Sequence, residues 1–433
     1  MPSRRRAWSV HVGALALATA VNLAGCGVKN VPLMPTPVIY TAGGLEPFRN
    51  LPDARKTPIV DIFYATNRDR VDDWQAIHYG NRFTDRIALG AAAMRIGGPG
   101  MTWERLLELS KTAERDDEPT IELSGVLERG VVAVDDPSGP LSLESAQFVN
   151  AINQRLAESD DSDIFVYVHG AKVNFYNAGA YTAQMAHFMG RQMVSVAFSW
   201  PTRQNLFAYA AGTDFQRAYR SGEALASFVE FLSANTDAER IHILCWSAGA
   251  RVFSTALTQL RERYPDESVE ALRARFRLGV AIFAAGDLPS SRFVEEIETM
   301  HALVDRLVVT VSDSDNALVK AARLMGGTTR LGQYGRRLSD EERERLIALE
   351  RFELVDVSYG KRERGFNIAG HRYWFDHPWS GTDTLLLLRT RLDAKARGLE
   401  QGESRVHWWF PPDYPQRLAE GVRAIQDAEA SAQ

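Results

Sequence analysis

The sequence predicts an α/β fold: a mostly parallel sheet with helices on both faces, entered through a β-rich N-terminal segment. Three observations lead there. From Ser142 onward, short apolar runs alternate with helical patterns. The runs have no polar face, as expected of strands buried on both sides. One of them, Ile241 to Cys245, breaks at Trp246-Ser247-Ala248-Gly249 directly into a helical pattern.

The elements follow in chain order. Arg4, Arg5 and Arg6 precede an apolar run from Val10 to Ala24. The run is short against the roughly 20 residues that cross a bilayer as a helix, so residues 1–25 read as a signal peptide. Its ending, Leu23-Ala24-Gly25-Cys26, resembles the lipobox of bacterial lipoproteins. The resemblance implies a mature chain that begins at a lipidated Cys26 and meets a membrane through that anchor. Gly27 stands where an inner-membrane retention aspartate often stands, so the expected location is the cell envelope, at the outer membrane facing the periplasm. Residues 26–57 hold Pro32, Pro35, Pro37, Gly43, Gly44, Pro47 and Pro52 and read as an extended tether.

Residues 58–135 form the β-rich segment. Val60 to Ala65 reads as a strand ended by Thr66-Asn67-Arg68, and further strands are expected in 86–96 and in Thr120 to Val134. Residues 136–400 form the α/β core. Its helices are expected over Ser142 to Leu156 with Ser142 as N-cap, Tyr176 to Met189, Asp214 to Leu232, Ala250 to Tyr264 and Arg292 to Leu303. Its strands are expected at Ile164 to Val168, Met193 to Phe198, Ile241 to Cys245, Leu278 to Phe283 and Leu307 to Val311. Residues 316–350 interrupt the alternation with dense charge and read as a helical insertion, either a cap or a solvated helix. The strand Phe352 to Val357 and the helix Thr382 to Ala394 then close the sheet. Residues 401–433 read as a tail whose Trp408-Trp409-Phe410 packs rather than binds.

Composition excludes several classes. The 433 residues fit one large domain with additions; 45% are hydrophobic, 24% are charged and the net charge is −5, which gives no basic excess for nucleic acid. Two cysteines, Cys26 and Cys245, provide no disulfide framework. No His/Cys/Asp/Glu group has metal-ligand spacing and no glycine-rich phosphate loop occurs, so no metal or cofactor is expected.

The chemistry centres on Ser247. A serine between an apolar strand and a helix, with small Ala248 and Gly249 after it, has the setting of a nucleophile elbow. Cys245 stands where such turns more often have Gly or Ala. The serine needs a base, and the base an orienting acid, in the chain order Ser, acid, His. Four histidines follow Ser247: His301, His371, His377 and His407. His301 lies in a helical pattern and His407 in the tail. His371, in a loop after the last strand of the core, is the expected base, with His377 as the fallback. For the acid, Asp315 is favoured by its place after Leu307 to Val311; Asp287 and Asp313 are the alternatives. The oxyanion hole is expected from the backbone N–H groups of Ala248 and Ala171, the latter following His169-Gly170. His169 is expected to brace that loop.

Val166 to Gly170, Ala197 to Pro201, Ile243 to Val252, Ile282 to Asp287, Val60 to Arg68 and Arg330-Leu331-Gly332 together resemble the α/β-hydrolase family known as DUF900. The likeness covers about residues 58–395. It implies an α/β-hydrolase fold and a Ser/Asp/His hydrolase site, carried onto Ser247, Asp315 and His371. This chain departs by having Trp246-Ser247-Ala248-Gly249 where the family has His-Ser-Met-Gly, which bears on the pocket rather than on the triad. The expected function is a serine hydrolase of the esterase or lipase type, acting on a small-molecule or lipid ester. The alternative is a catalytically silent envelope lipoprotein that uses the same fold as a binding scaffold.

Overall fold

The computed structural model describes residues 31–42, 45–73, 76–203, 213–312, 315, 318–319, 322, 328–336, 339–358, 371–402 and 404–432. The expected signal peptide, Cys26 and Asp313 lie outside these residues. Among the described residues, no helix is long and apolar enough to cross a membrane.

Twelve strands are described: β1 (Val31–Pro32), β2 (Ile59–Asp73), β3 (Ala76–Ile96), β4 (Thr120–Ala133), β5 (Asp163–Val168), β6 (Val194–Ser199), β7 (Arg240–Trp246), β8 (Leu278–Ala284), β9 (Val304–Val311), β10 (Phe352–Asp356), β11 (Glu400–Gln401) and β12 (His407–Trp409). They form one sheet in the order β1-β4-β3-β2-β6-β5-β7-β8-β9-β10-β12-β11. Pairing is parallel from β2 through β6, β5, β7, β8, β9 and β10 to β12. The flanks are antiparallel: β3, β4 and β1 on one side, β11 on the other.

The central strands are apolar throughout because both faces are covered. Side chains alternate across a strand. Thus Ile164, Val166 and Val168 of β5 join one core with Ile241, Ile243 and Cys245 of β7. Phe165 and Tyr167, with Leu244 and Trp246, join the core on the opposite face. Ser142 caps the helix Leu143–Ala157 by accepting from Ser145 N–H. Register aligns the strand ends: Val168 pairs Cys245, Trp246 pairs Ala284, Ala284 pairs Thr310, and Val311 pairs Asp356. The loops after β5, β7, β8 and β9 therefore emerge side by side, where open α/β sheets place their sites.

Several expectations need correction. Residues 31–57 are no free tether: β1 pairs with β4, and Leu33, Met34, Ile39, Phe48 and Leu51 are buried. Thr66-Asn67-Arg68 does not end β2, which continues to Asp73 through irregular register at these positions. The polar triplet stays in the strand because its side chains are buried against tertiary partners: Thr66 Oγ1 donates to Ser199 O at 2.6 Å and Asn67 Nδ2 to Ser221 Oγ at 3.3 Å. The sheet does not close at β10, since β12 adds a further parallel strand from the tail. A helix at Val269–Phe276 was not expected, and the last core helix runs Pro378–Arg389 rather than to Ala394. Within the insertion, a 3-10 segment at Leu331–Arg336 and the helix Asp340–Ile347 are described. The 3-10 segment is stitched to the sheet, with Gly332 N–H donating to Gly286 O and Ser312 N–H to Gly332 O.

Candidate active site

Ser247 stands between β7 and the helix Gly249–Arg263 with φ 53°, the left-handed conformation of a sharp strand-to-helix elbow. Gly249 is required by close approach: a Cβ there would lie 2.5 Å from Val168 O. A Cβ on Gly170 would lie 3.0 Å from Ser247 Cβ, so the loop after β5 runs hard against the elbow.

His371 reaches Ser247 from the far end of the chain. Ser247 Oγ lies 2.6 Å from His371 Nε2, and His371 Nδ1 lies 2.8 Å from Asp315 Oδ2. A carboxylate only accepts, so the imidazole carries its proton on Nδ1 and presents the Nε2 lone pair to the hydroxyl. Asp315 is fully buried, and its Oδ1 accepts from Leu318 N–H at 3.0 Å, which fixes the carboxylate plane. The three residues named from the sequence thus meet in one hydrogen-bonded line.

The other candidates lie elsewhere. Asp287 sits behind the elbow, donating its N–H to Ser247 O at 3.0 Å. Its carboxylate is buried near Arg330 Nε at 3.3 Å and Arg251 Nη2 at 3.6 Å. Burial pushes its pKa up to about 6, more than Arg330 and His371 pull it down. His377 is the N-cap of Pro378–Arg389, accepting from Trp379 N–H through Nδ1 at 3.2 Å. His301 ends the helix Ser290–Leu303 against Glu350 O, and His407 lies on β12. The Ala171 and Ala248 N–H groups meet no acceptor among the described residues. His169 is fully buried, stacked on Trp200 at 5.3 Å between centroids, with Nδ1 2.7 Å from Gly170 O. Burial and the neighbouring Arg68 charge hold its pKa well below the usual imidazole range.

Two further residues support the site through contacts that no local pattern shows. Trp246 Nε1–H donates to His371 O at 3.0 Å, tying His371 to the elbow. Its ring packs against Tyr181 and Phe375. Arg68, 2% exposed, reaches under the loop after β5. An arginine within the β-prone start of the domain is the one sequence feature that marks it.

Residues 144–380 match the model of a family described as alpha/beta hydrolase of unknown function (DUF900). The chain belongs to this family. Among curated proteins there is no match to this DUF900 chain. Among solved structures it is similar to a dienelactone hydrolase from Anabaena variabilis, at 12% identity over 53% of this chain and 85% of that one, with a TM-score of 0.31. It is also similar to esterase B from Lactobacillus rhamnosis, at 10% identity over 43% and 74%, with a TM-score of 0.24. A lipase-esterase related protein from Clostridium acetobutylicum matches at 9% identity over 63% and 95%, with a TM-score of 0.20.

Proposed function

We propose that this DUF900 protein is a serine hydrolase that transfers the acyl group of a carboxylic ester to water through Ser247, His371 and Asp315. One observation carries the reading: His371 Nε2 lies 2.6 Å from Ser247 Oγ while Nδ1 lies 2.8 Å from a fully buried carboxylate. That is a nucleophile, a base in hydrogen-bond reach, and an orienter that sets the base's tautomer. Ser247 Oγ attacks the ester carbonyl as His371 Nε2 takes its proton. The Ala171 and Ala248 N–H groups hold the oxyanion. Collapse breaks the ester C–O bond, and His371 returns the proton to the departing alcohol. Water, deprotonated by His371, then attacks the acyl-enzyme and releases the acid and Ser247.

Labelling with a fluorophosphonate probe and hydrolysis of short and long p-nitrophenyl esters test this reading. Ser247→Ala and His371→Ala are each expected to lose several orders of magnitude in kcat, and the double variant little more, because both act in one proton transfer. Additive losses would break the reading. A wild-type protein that takes no probe and cleaves no ester would favour the silent scaffold.

We also propose that Cys26 carries lipid and anchors the chain at the envelope, the support being the basic start, the apolar run and Leu23-Ala24-Gly25-Cys26. Intact mass of the membrane fraction decides it; a mature chain that begins elsewhere rejects the anchor.

A further inference from the structure

Arg68 is a buried charge. It is 2% exposed on β2, and no carboxylate lies within ion-pair reach of it among the described residues. Burial pulls its pKa down to about 9, only partly opposed by Asp69 and Asp214. A guanidinium kept in such a place is costly unless its donors are used. They are used on backbone and side chains of β3, β6 and the loop after β5. Nε donates to Ser199 Oγ at 2.9 Å, Nη1 to Gly80 O at 2.9 Å and Nη2 to Val173 O at 2.8 Å. Nη2 also lies 3.4 Å from His169 Nε2.

The last contact has a consequence for the loop. Arginine has donors only, so His169 Nε2 must face it with a lone pair, and the ring proton resides on Nδ1. Nδ1–H then donates to Gly170 O at 2.7 Å. Trp200 holds the ring from its face and donates Nε1–H to His169 O at 2.7 Å. The Gly170–Ala171 peptide is trans, as are all described peptides. In a planar trans unit, C=O and N–H point in opposite directions. With the Gly170 carbonyl held toward the His169 ring, the Ala171 N–H is turned away from that ring. Just beyond it, Lys172 takes φ 60°, a strained conformation for a side-chain-bearing residue. Val173 O closes this turn by accepting from both Arg68 and Thr202 Oγ1, the latter at 3.0 Å.

We propose that Arg68 is a positioning residue for the oxyanion hole: through the tautomer of His169 it fixes which way the Gly170–Ala171 peptide faces, and through Val173 it holds the strained turn behind it. This rests on the hydrolase reading above. Arg68 touches no substrate; it sets the direction of the Ala171 N–H before substrate arrives. Removing it leaves Ser247, His371 and Asp315 in place and frees the peptide to turn over.

The test compares wild type, Arg68→Met, Arg68→Lys and Arg68→Met/His169→Phe on the best p-nitrophenyl ester. Arg68→Met is expected to lower kcat by about 10²-fold, the scale of one oxyanion-hole donor, with KM changed by less than about twofold. A boronic acid that forms a tetrahedral adduct on Ser247 should lose affinity by a similar factor, while the product acid does not. Arg68→Lys should recover part of the loss, and the double variant should be no worse than Arg68→Met. A folded Arg68→Met protein that keeps kcat within about twofold overturns the proposal. Should that variant fail to fold, histidine 15N–1H spectra of the wild-type protein decide instead. A neutral Nδ1–H tautomer at His169 near neutral pH supports the proposal; an Nε2–H tautomer or an imidazolium overturns it. A wild type that neither takes fluorophosphonate nor cleaves ester sinks the hydrolase reading and this proposal with it. An active wild type beside an unaffected Arg68→Met variant sinks this proposal alone.

Discussion

Asp315 and Asp287 follow neighbouring strands, yet they touch different things. Asp315 holds the His371 ring at 2.8 Å, whereas Asp287 is surrounded by Arg330 and Arg251 behind the Ser247 backbone. Asp315→Asn is therefore expected to lower kcat by about 10⁴-fold, because an amide facing Nδ1 favours the wrong imidazole tautomer. Asp287→Asn should leave a far larger share of kcat. The two rate constants, measured on one ester, check the assignment, and a reversed order refutes it. Trp246 gives a finer test. Trp246→Phe keeps an aromatic ring against Tyr181 and Phe375 but removes the donor to His371 O. A single neutral hydrogen bond contributes about 1 kcal/mol, so kcat/KM should fall by about fivefold. No change would mean that the His371 loop holds its place without Trp246.

At the scale of elements, the elbow depends on how closely the helix Gly249–Arg263 passes β5. Gly249→Ala would put a Cβ 2.5 Å from Val168 O and 2.8 Å from His169 O. Neither atom is a flexible side-chain end, so backbone must shift. The expected cost is about 1–3 kcal/mol, the usual range for overpacking. Activity should fall further than stability, because the same shift moves the loop that carries Ala171. Urea midpoints and kcat measured on one preparation separate the two effects, and an Ala variant of full stability and activity would show that the helix has room to spare. The tail matters at the same scale: β12 covers the edge of β10, and Phe410 and Tyr414 are buried. An uncovered strand edge invites pairing between chains.

For the whole molecule, a neutral His377 adds sensitivity to acid. Burial holds the pKa of His377 down at about 4. The unfolded chain takes up this proton near pH 6.5 and the native one does so only near 4. The stability that His377 contributes is thus fully present above pH 6.5 and is lost as pH falls through that window, roughly 3 kcal/mol in all. Asp287 and Asp376, both raised to about 6, act in the opposite sense, since the native state gains their protons first on acidification. His377→Asn keeps a side chain that can cap the helix and removes the titration. Urea unfolding between pH 6.5 and 4 should then lose about 1.4 kcal/mol per pH unit of slope relative to wild type. An unchanged slope would place the acid sensitivity elsewhere.

The sequence alone determined what depends on local pattern. Short apolar runs without a polar face, each followed by a helical pattern, read as strands covered on both sides, and a serine followed by Ala248 and Gly249 between strand and helix has the setting of a sharp turn. His371 and Asp315 were legible because a nucleophile elbow of this kind is followed along the chain by its acid and then its histidine, each after a strand. The tertiary structure decided what depends on distant partners. A proline-rich segment reads as a tether until pairing with β4 and burial of Leu33, Met34 and Phe48 hold it to the domain. Thr66-Asn67-Arg68 reads as the end of a strand until Ser199, Ser221, Gly80 and Val173, far along the chain or across the sheet, take up its hydrogen bonds. Trp246 and Arg68 gained their partners in the same way. A hydrogen bond between residues more than 100 positions apart leaves no period in the sequence, because its geometry exists only after the sheet has assembled.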